Sequence, residues 1–265
     1  MTTSMTNKDL FDLSGKVAVI TGSTRGIGKA IAEAMAAFGA KVVISSRKAP
    51  RCEEVASAIR EAGGAAVAIP CNVGRLPDLD TLVERTLAAC GRIDVLVCNA
   101  ATNPYYGPMA GVSEEVYDKI MSTNVKSNLW LCNKVLPGMA ARKDGVVIIV
   151  SSIGGLKGND KLGIYGLSKA ADFQLARNLA VEWGRHNIRA NCLAPSIIRT
   201  DFARALWENP ETYRQAVESY PLGRIGEPHE IAGAAVMLAS RAGSFITGQV
   251  IVIDGGATIS SGRYG

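Results

Sequence analysis

Histidine is scarce in this sequence: His186 and His229 are the only two among 265 residues, and they stand far apart. A histidine-based metal site or a Ser-His-Asp triad is therefore not expected. The six cysteines (Cys52, Cys71, Cys90, Cys98, Cys132, Cys192) include no Cys-x-x-Cys pair. They fall in apparent strands and helix faces and read as small core residues of a chain kept in a reducing compartment. No apolar run approaches the ~18 residues of a membrane span, and the opening Met1-Thr-Thr-Ser-Met-Thr lacks the apolar stretch of a signal peptide. Aromatic residues make up 6%, and the net charge of +5 is spread among interleaved acids and bases. The basic stripe of a nucleic-acid binder is missing. Neither a nucleic acid nor a membrane is expected as partner. A last gap is local: no Asp or Glu occurs between Glu33 and Glu53.

What is present is a regular alternation. With 48% hydrophobic residues, the chain can bury a full α/β core. Short Val/Ile/Ala runs at 16–20, 41–45, 65–70, 95–98, 145–150, 189–193 and 249–253 read as strands covered on both faces. Helical periodicity fills 27–38, 50–62, 76–90, 113–136, 164–183 and 228–239. Alternating strands and helices imply right-handed crossovers. The expected fold is α/β: a doubly wound, parallel, seven-stranded sheet of Rossmann type. No linker divides it, so one domain is expected over 13–265 behind a flexible tail of residues 1–12.

Two motifs carry chemistry. The strand at Lys16–Ile20 runs into Thr21-Gly22-Ser23-Thr24-Arg25-Gly26-Ile27-Gly28 and then a helix. This order offers backbone N–H groups and a helix N-terminus to a pyrophosphate. Farther on, Tyr165 and Lys169 stand one helical turn apart and share a face, while Ser152 closes the apolar strand 145–150. A hydroxyl, a phenol and an amine at a strand end can move a proton on and off an oxygen. Free tyrosine titrates near ~10. An ammonium about 4 Å away at an effective dielectric of ~20 supplies about 4 kcal/mol, enough to lower that value by about 3 units.

These residues resemble the short-chain dehydrogenase/reductase family. The likeness extends from about Leu13 to Thr258. It rests on Thr21-Gly22-x-x-x-Gly26-x-Gly28, Asn99-Ala100-Ala101, Asn124 in Thr-Asn-Val, Ser152, Tyr165-x-x-x-Lys169, and Asn191-Cys-Leu-Ala-Pro195 leading to Thr200. Ser45-Ser46-Arg47-Lys48 and Ser151-Ser152-Ile153 make it most similar to the NADP-dependent carbonyl and retinal reductases of that family. The resemblance implies a catalytic set of Asn124, Ser152, Tyr165 and Lys169, with Lys169 also on the nicotinamide ribose and Asn124 holding a relay water. It implies cofactor contacts at Gly22, Ser23, Thr24, Arg25, Gly26, Ile27 and Gly28, and at Ser46, Arg47, Asn72, Val73, Asn99, Ala100 and Ala101. Tyr165, Lys169, Pro195, Ser196, Ile198 and Thr200 complete them; no metal is implied. A lid over 196–225 and a homotetramer are implied as well, the latter pairing through helices 113–136 and 164–183 and through the last strand with helix 228–239. Two positions depart from the family pattern: Ala101 and Ser196 stand where glycine is usual.

The cofactor expected is NADP(H). An NAD enzyme places a carboxylate roughly 20 residues beyond the glycine turn, where this chain has Ser46 and Arg47 instead. Arg25 can reach the same 2′-phosphate. The substrate expected is an apolar or aromatic ketone or aldehyde, or the matching alcohol, against a wall of Ile153, Tyr105, Tyr106, Ile198, Phe202, Leu206 and Trp207. The polar loop Lys157-Gly-Asn-Asp160-Lys161 leaves a polyol or sugar substrate open, and a β-ketoacyl-carrier-protein reductase is a further alternative. A dinucleotide-sensing regulatory subunit is the non-enzyme reading, disfavoured because the tyrosine and lysine are intact. The closer relatives end in a peroxisomal tripeptide of the Ser-Lys-Leu type, which Gly262-Arg-Tyr-Gly265 does not match, so a cytoplasmic location is expected.

Overall fold

In the computed structural model, which describes residues 7–260, seven strands form one parallel sheet. They are β1 (Val17–Thr21), β2 (Lys41–Ser45), β3 (Ala65–Ala68), β4 (Val95–Cys98), β5 (Gly145–Val150), β6 (Ile188–Pro195) and β7 (Val250–Ile253). Their order is β3-β2-β1-β4-β5-β6-β7, the doubly wound arrangement expected from the alternation. Ile20 of β1 sits opposite Ile44 on one side and Val97 on the other. The strand order reverses between β1 and β4, the place where open α/β sheets leave a crevice for a ligand.

Alternation of side chains sends each strand into two cores. Ala18, Ile20, Val42 and Ile44 pack with Ile31 and Met35 of α1 (Gly26–Ala37) and with Ile231 and Val236 of α9 (Pro228–Ala239). On the other face, Val17, Val19, Val43 and Leu96 meet Leu79 and Leu82 of α3 (Leu76–Cys90), with α5 (Ser127–Arg142) and α6 (Gly163–Trp183) beside them. Helix α2 (Ala49–Glu61) covers β2 and β3 on the first face. Among the described residues, no helix is long and apolar enough to cross a membrane.

The stretch 113–136 is not one helix. It divides into α4 (Glu114–Met121), a π-helical turn at Ser122–Lys126, and α5. Nor does α5 stop before Pro137, as the sequence suggests, because it continues to Arg142. Proline removes one intrahelical donor, yet Leu136 and Met139 on either side are fully buried and hold the next turn in place. The remaining boundaries shift by one or two residues, mostly where β6 gains Ala194 and Pro195 by pairing with β7.

Between β6 and α9 lie a 3-10 turn at Asp201–Ala203, α7 (Arg204–Trp207) and α8 (Pro210–Glu218). An Ile198–Gly226 bridge clamps the base of this excursion. Of the expected tail, residues 1–6 lie outside the described residues. Asn7–Leu10 form a 3-10 turn, and the Phe11 ring lies 6.4 Å from that of Phe38.

Candidate active site

The glycine turn leaves β1 at the switch point and is pinned from the neighbouring strand. Asn99, just beyond β4, donates its Nδ2 to the carbonyls of Thr21 and Gly22 at 2.9 and 3.2 Å. The backbone N–H groups of Asn99 and Ala100 donate to the Thr21 hydroxyl at 3.0 and 3.1 Å. A Cβ on Gly28 would lie 2.5 Å from the Gly22 carbonyl oxygen and closer still to the Asn99 amide. Only glycine lets α1 start this near the turn. Ser23 is fully buried, donating its hydroxyl to Ile20 at 2.7 Å and accepting from the Ser45 N–H at 2.8 Å. Its side chain and its own N–H, which donates to the Ser45 carbonyl at 3.1 Å, thus tie β1 to β2.

Beyond β5 the polar residues converge. The Ser151 hydroxyl donates to the Lys169 carbonyl at 2.8 Å and fixes the strand end against α6. A Cβ on Gly155 would lie 2.7 Å from the Lys169 carbonyl carbon, so the turn after Ser152 rests directly on the α6 backbone. This contact sets Ser152 and Tyr165 around Gly154, where an added Cβ would lie 3.4 Å from the Ser152 Oγ and 3.9 Å from the Tyr165 ring, and the serine hydroxyl favours the phenolate. The Lys169 Nζ sits 5.7 Å from the centre of the Tyr165 ring. Phe202, from the excursion after β6, packs its ring 6.2 Å from Tyr165 on the outer side.

Asn124 lies on the π turn, fully buried. Its Oδ1 accepts from the Thr102 N–H at 2.8 Å, and its Nδ2 donates to the Thr102 carbonyl and the Ser168 hydroxyl, each at 3.0 Å. Its carbonyl accepts Asn128 Nδ2 at 2.6 Å. The side chain therefore joins the loop after β4 to α6.

Lys169 does not lower Tyr165 as a bare ammonium would. Burial pushes the phenol above its ordinary value, Lys169 pulls against that, and Asp172 opposes the lysine. Attraction by a single ammonium leaves out both desolvation and this third charge. Lys169 donates to the Val150 carbonyl at 3.0 Å and to Asp172 Oδ2 at 3.1 Å. Burial disfavours its charge, but Asp172 and Tyr165 more than offset that and hold the lysine above its usual range. Asp172 and Asn128 were not anticipated from sequence. The available signal is the acid three positions past Lys169, which shares the buried face of α6 with Ser168 and Lys169.

The crevice suits a dinucleotide. Among the described residues, the α1 N-cap Arg25 makes no side-chain cap bond, so the first-turn N–H groups are open to an anion. An open cleft of about 310 Å³ beside them is lined by Gly26, Lys29, Arg199, Thr200 and Asp201. Arg25 and Asp201 face each other across it at 3.8 Å. Thr24 and Ile27 are half-buried, Ile27 against the core. At the end of β2, Arg47 is exposed and Ser46 Oγ lies 3.3 Å from Cys52 Sγ. Asn72 closes its own turn by accepting from Gly74 N–H at 3.2 Å, leaving Val73 half-buried at the rim. Pro195 ends β6, and the Ser196 N–H donates to Ile253 at 3.2 Å.

Two residues of the expected substrate wall are elsewhere. Ile153 and Ile198 are buried in the two cores, where an apolar side chain reads the same from sequence as it would at a pocket. For Ile198 only the backbone is left to meet a ligand. Tyr105 turns its hydroxyl to the Pro108 carbonyl at 2.8 Å. Tyr106, Phe202, Leu206 and Trp207 remain exposed or half-exposed.

Comparison with known proteins agrees with this arrangement. A family model described as Enoyl-(Acyl carrier protein) reductase matches residues 22–258. The rabbit (Oryctolagus cuniculus) protein Dehydrogenase/reductase SDR family member 4 is 43% identical over 245 residues, 92% of this chain and 94% of the relative. A gluconate 5-dehydrogenase from Burkholderia cenocepacia, solved with NADP and tartrate, superimposes with a TM-score of 0.93 at 31% identity, covering 96% of this chain and 100% of the other. A 7α-hydroxysteroid dehydrogenase solved with NADH and 7-oxo glycochenodeoxycholic acid gives a TM-score of 0.91 at 34% identity, covering 95% and 98%.

Proposed function

The chain belongs to the short-chain dehydrogenase/reductase family, and on that footing we propose that it is an NADP(H)-dependent oxidoreductase interconverting a ketone or aldehyde and an alcohol. The observation that carries the reading is the convergence of Ser152, Tyr165 and Lys169 beside the glycine turn. When bound, the nicotinamide supplies or accepts the hydride. Tyr165 donates its phenolic proton to the alkoxide oxygen that forms on reduction. Ser152 donates a hydrogen bond to the same oxygen, where negative charge develops. Lys169 adds positive charge beneath the phenol and reaches toward the ribose. Asn124 keeps the loop after β4 and α6 in register, so that these groups meet. Gly22 to Gly28 would hold the pyrophosphate, and Pro195, Ser196, the Ile198 backbone and Thr200 would border the nicotinamide.

The segment 196–225 acts as the substrate lid in this reading. Phe202 against Tyr165 places an apolar ring at the mouth, which favours aromatic ketones and α-dicarbonyls. The polar loop 157–161 and the likeness to a gluconate 5-dehydrogenase support a second reading, a polyol or sugar-acid substrate. Purified protein assayed with NADPH against aryl ketones, α-dicarbonyls, keto-sugar acids and an acetoacetyl thioester separates them. The aryl ketones and α-dicarbonyls are expected to give the highest kcat/KM. Efficient turnover of sugar acids or thioesters with none of aryl ketones would sink the first reading.

A homotetramer belongs to the same proposal. Trp130 on α5, Leu167 and Val181 on α6, and Val252 on the edge strand β7 expose apolar surface that self-association would cover. Light scattering at micromolar concentration should give a species near four times the chain mass, and a monodisperse monomer would refute it. A compartment that keeps thiols reduced, the cytoplasm, suits the six free cysteines.

A further inference from the structure

Three residues beyond Lys169 on α6, Asp172 is fully buried and accepts the lysine Nζ through Oδ2 at 3.1 Å. Its Oδ1 accepts Asn128 Nδ2 from α5 at 3.0 Å. The same Asn128 amide donates to the Asn124 carbonyl, so the acid is wired to the π turn as well as to the lysine. With Lys169 buried beside it, an apolar residue here would leave the ammonium without its carboxylate partner, so the acid is tied to the lysine and to whatever the lysine does.

We propose that Asp172 is a positioning residue of the reaction, holding Lys169 as an ammonium between the Val150 carbonyl and its own carboxylate, so that the lysine charge is shared with Tyr165 rather than given to it. The inference rests on the reading of Tyr165 as proton donor. The ionisable groups around the carboxylate are few. Tyr165 and Lys169 face it from α6, with Arg177 farther along that helix, Cys192 from β6, Cys132 from α5 and Cys98 from β4. Cys98 is held up by its bond to Cys132 and by burial, and Cys192 by burial and Asp172, so both thiols stay neutral. The Tyr165–Lys169 pair is thus the part of the cluster whose proton release sets the alkaline limb, and a neighbouring anion makes that release harder.

The sign of the effect is the same whichever of the two loses its proton first. In Asp172→Asn the anion is gone while the shape is kept, so the pair deprotonates at lower pH. The alkaline limb of the kcat/KM profile for carbonyl reduction is expected to move down by about one pH unit or more. A variant profile that superimposes on the wild-type limb, with only a uniform loss of rate, would show a purely structural acid and overturn the proposal. Should that variant not fold, Asp172→Glu keeps the anion and is expected to hold the alkaline limb at its wild-type position, and a Glu variant whose limb falls by about one pH unit or more would overturn the proposal. A Tyr165→Phe enzyme that still turned over at a tenth of the wild-type rate would instead remove the proton-donor reading, whatever Asp172 does.

Discussion

Tyr165→Phe is expected to lower kcat for carbonyl reduction by roughly 10²–10⁴-fold, the usual contribution of a positioned general acid. Cofactor affinity should stay close to wild type, because the ring that packs 6.2 Å from Phe202 is kept and only the hydroxyl goes. Steady-state turnover and NADPH fluorescence titration check the two halves separately. A variant keeping a tenth of the wild-type kcat would mean that another group supplies the proton. The direction of the phenol shift sets the pH dependence. Burial raises Tyr165, so the protonated, donating form prevails at neutral pH, and reduction declines only as pH climbs through the raised value. Alcohol oxidation needs the phenolate and should increase over that same interval.

The second large effect concerns the 2′-phosphate. NADPH is expected to be used with a kcat/KM at least about tenfold above that for NADH, since each charge-assisted bond contributes ~1.5–3 kcal/mol and about 1.4 kcal/mol is a factor of ten. The two arginines are not equal in this. Arg25 already faces Asp201 at 3.8 Å, across a gap where both side chains are largely solvated, and its charge is partly taken. Arg47 is exposed at the end of β2, and among the described residues no ion pair engages it. Arg47→Ala should therefore raise KM for NADPH about tenfold or more and leave the NADH value nearly unchanged. Equal efficiency with both cofactors in the wild type, or an unaltered NADPH affinity in the variant, would refute the assignment.

The sheet and most helices are legible in the sequence because parallel strands buried on both faces must be short apolar runs, and the helices between them carry the opposite periodicity. The π turn at Ser122–Lys126 is not legible. One extra residue in a helical turn leaves the composition unchanged, and its cause lies in the contacts of Asn124 with Thr102 and Ser168. Pro137 misleads for a similar reason: its local cost is plain, while the burial of Leu136 and Met139 that outweighs it is tertiary. At the site, the spacing of Tyr165 and Lys169 identifies the pair, but the behaviour of the phenol depends on a third charge. Asp172 stands three residues past the lysine, a spacing that puts the two on one helix face. Ile198 belongs to the opposite kind of error, where only the packed structure tells core from pocket.

The clamp on the glycine turn waits for β4 to be synthesised. Asn99 bonds to Thr21 across 78 positions, and the inner edge of β1 has no partner until β4 arrives to pair with it. A nascent chain that has reached residue 90 contains every glycine of the turn, the whole of α1 and the tie of Ser23 to β2, yet not the Asn99 clamp on the Thr21 and Gly22 carbonyls. Loop closure over such a span precedes any reward from the contacts it enables. Nucleotide binding therefore reads a long-range strand pairing rather than a local motif. Whatever cofactor the cell supplies stabilises only chains that have completed that pairing, and so favours β4 as much as the turn itself.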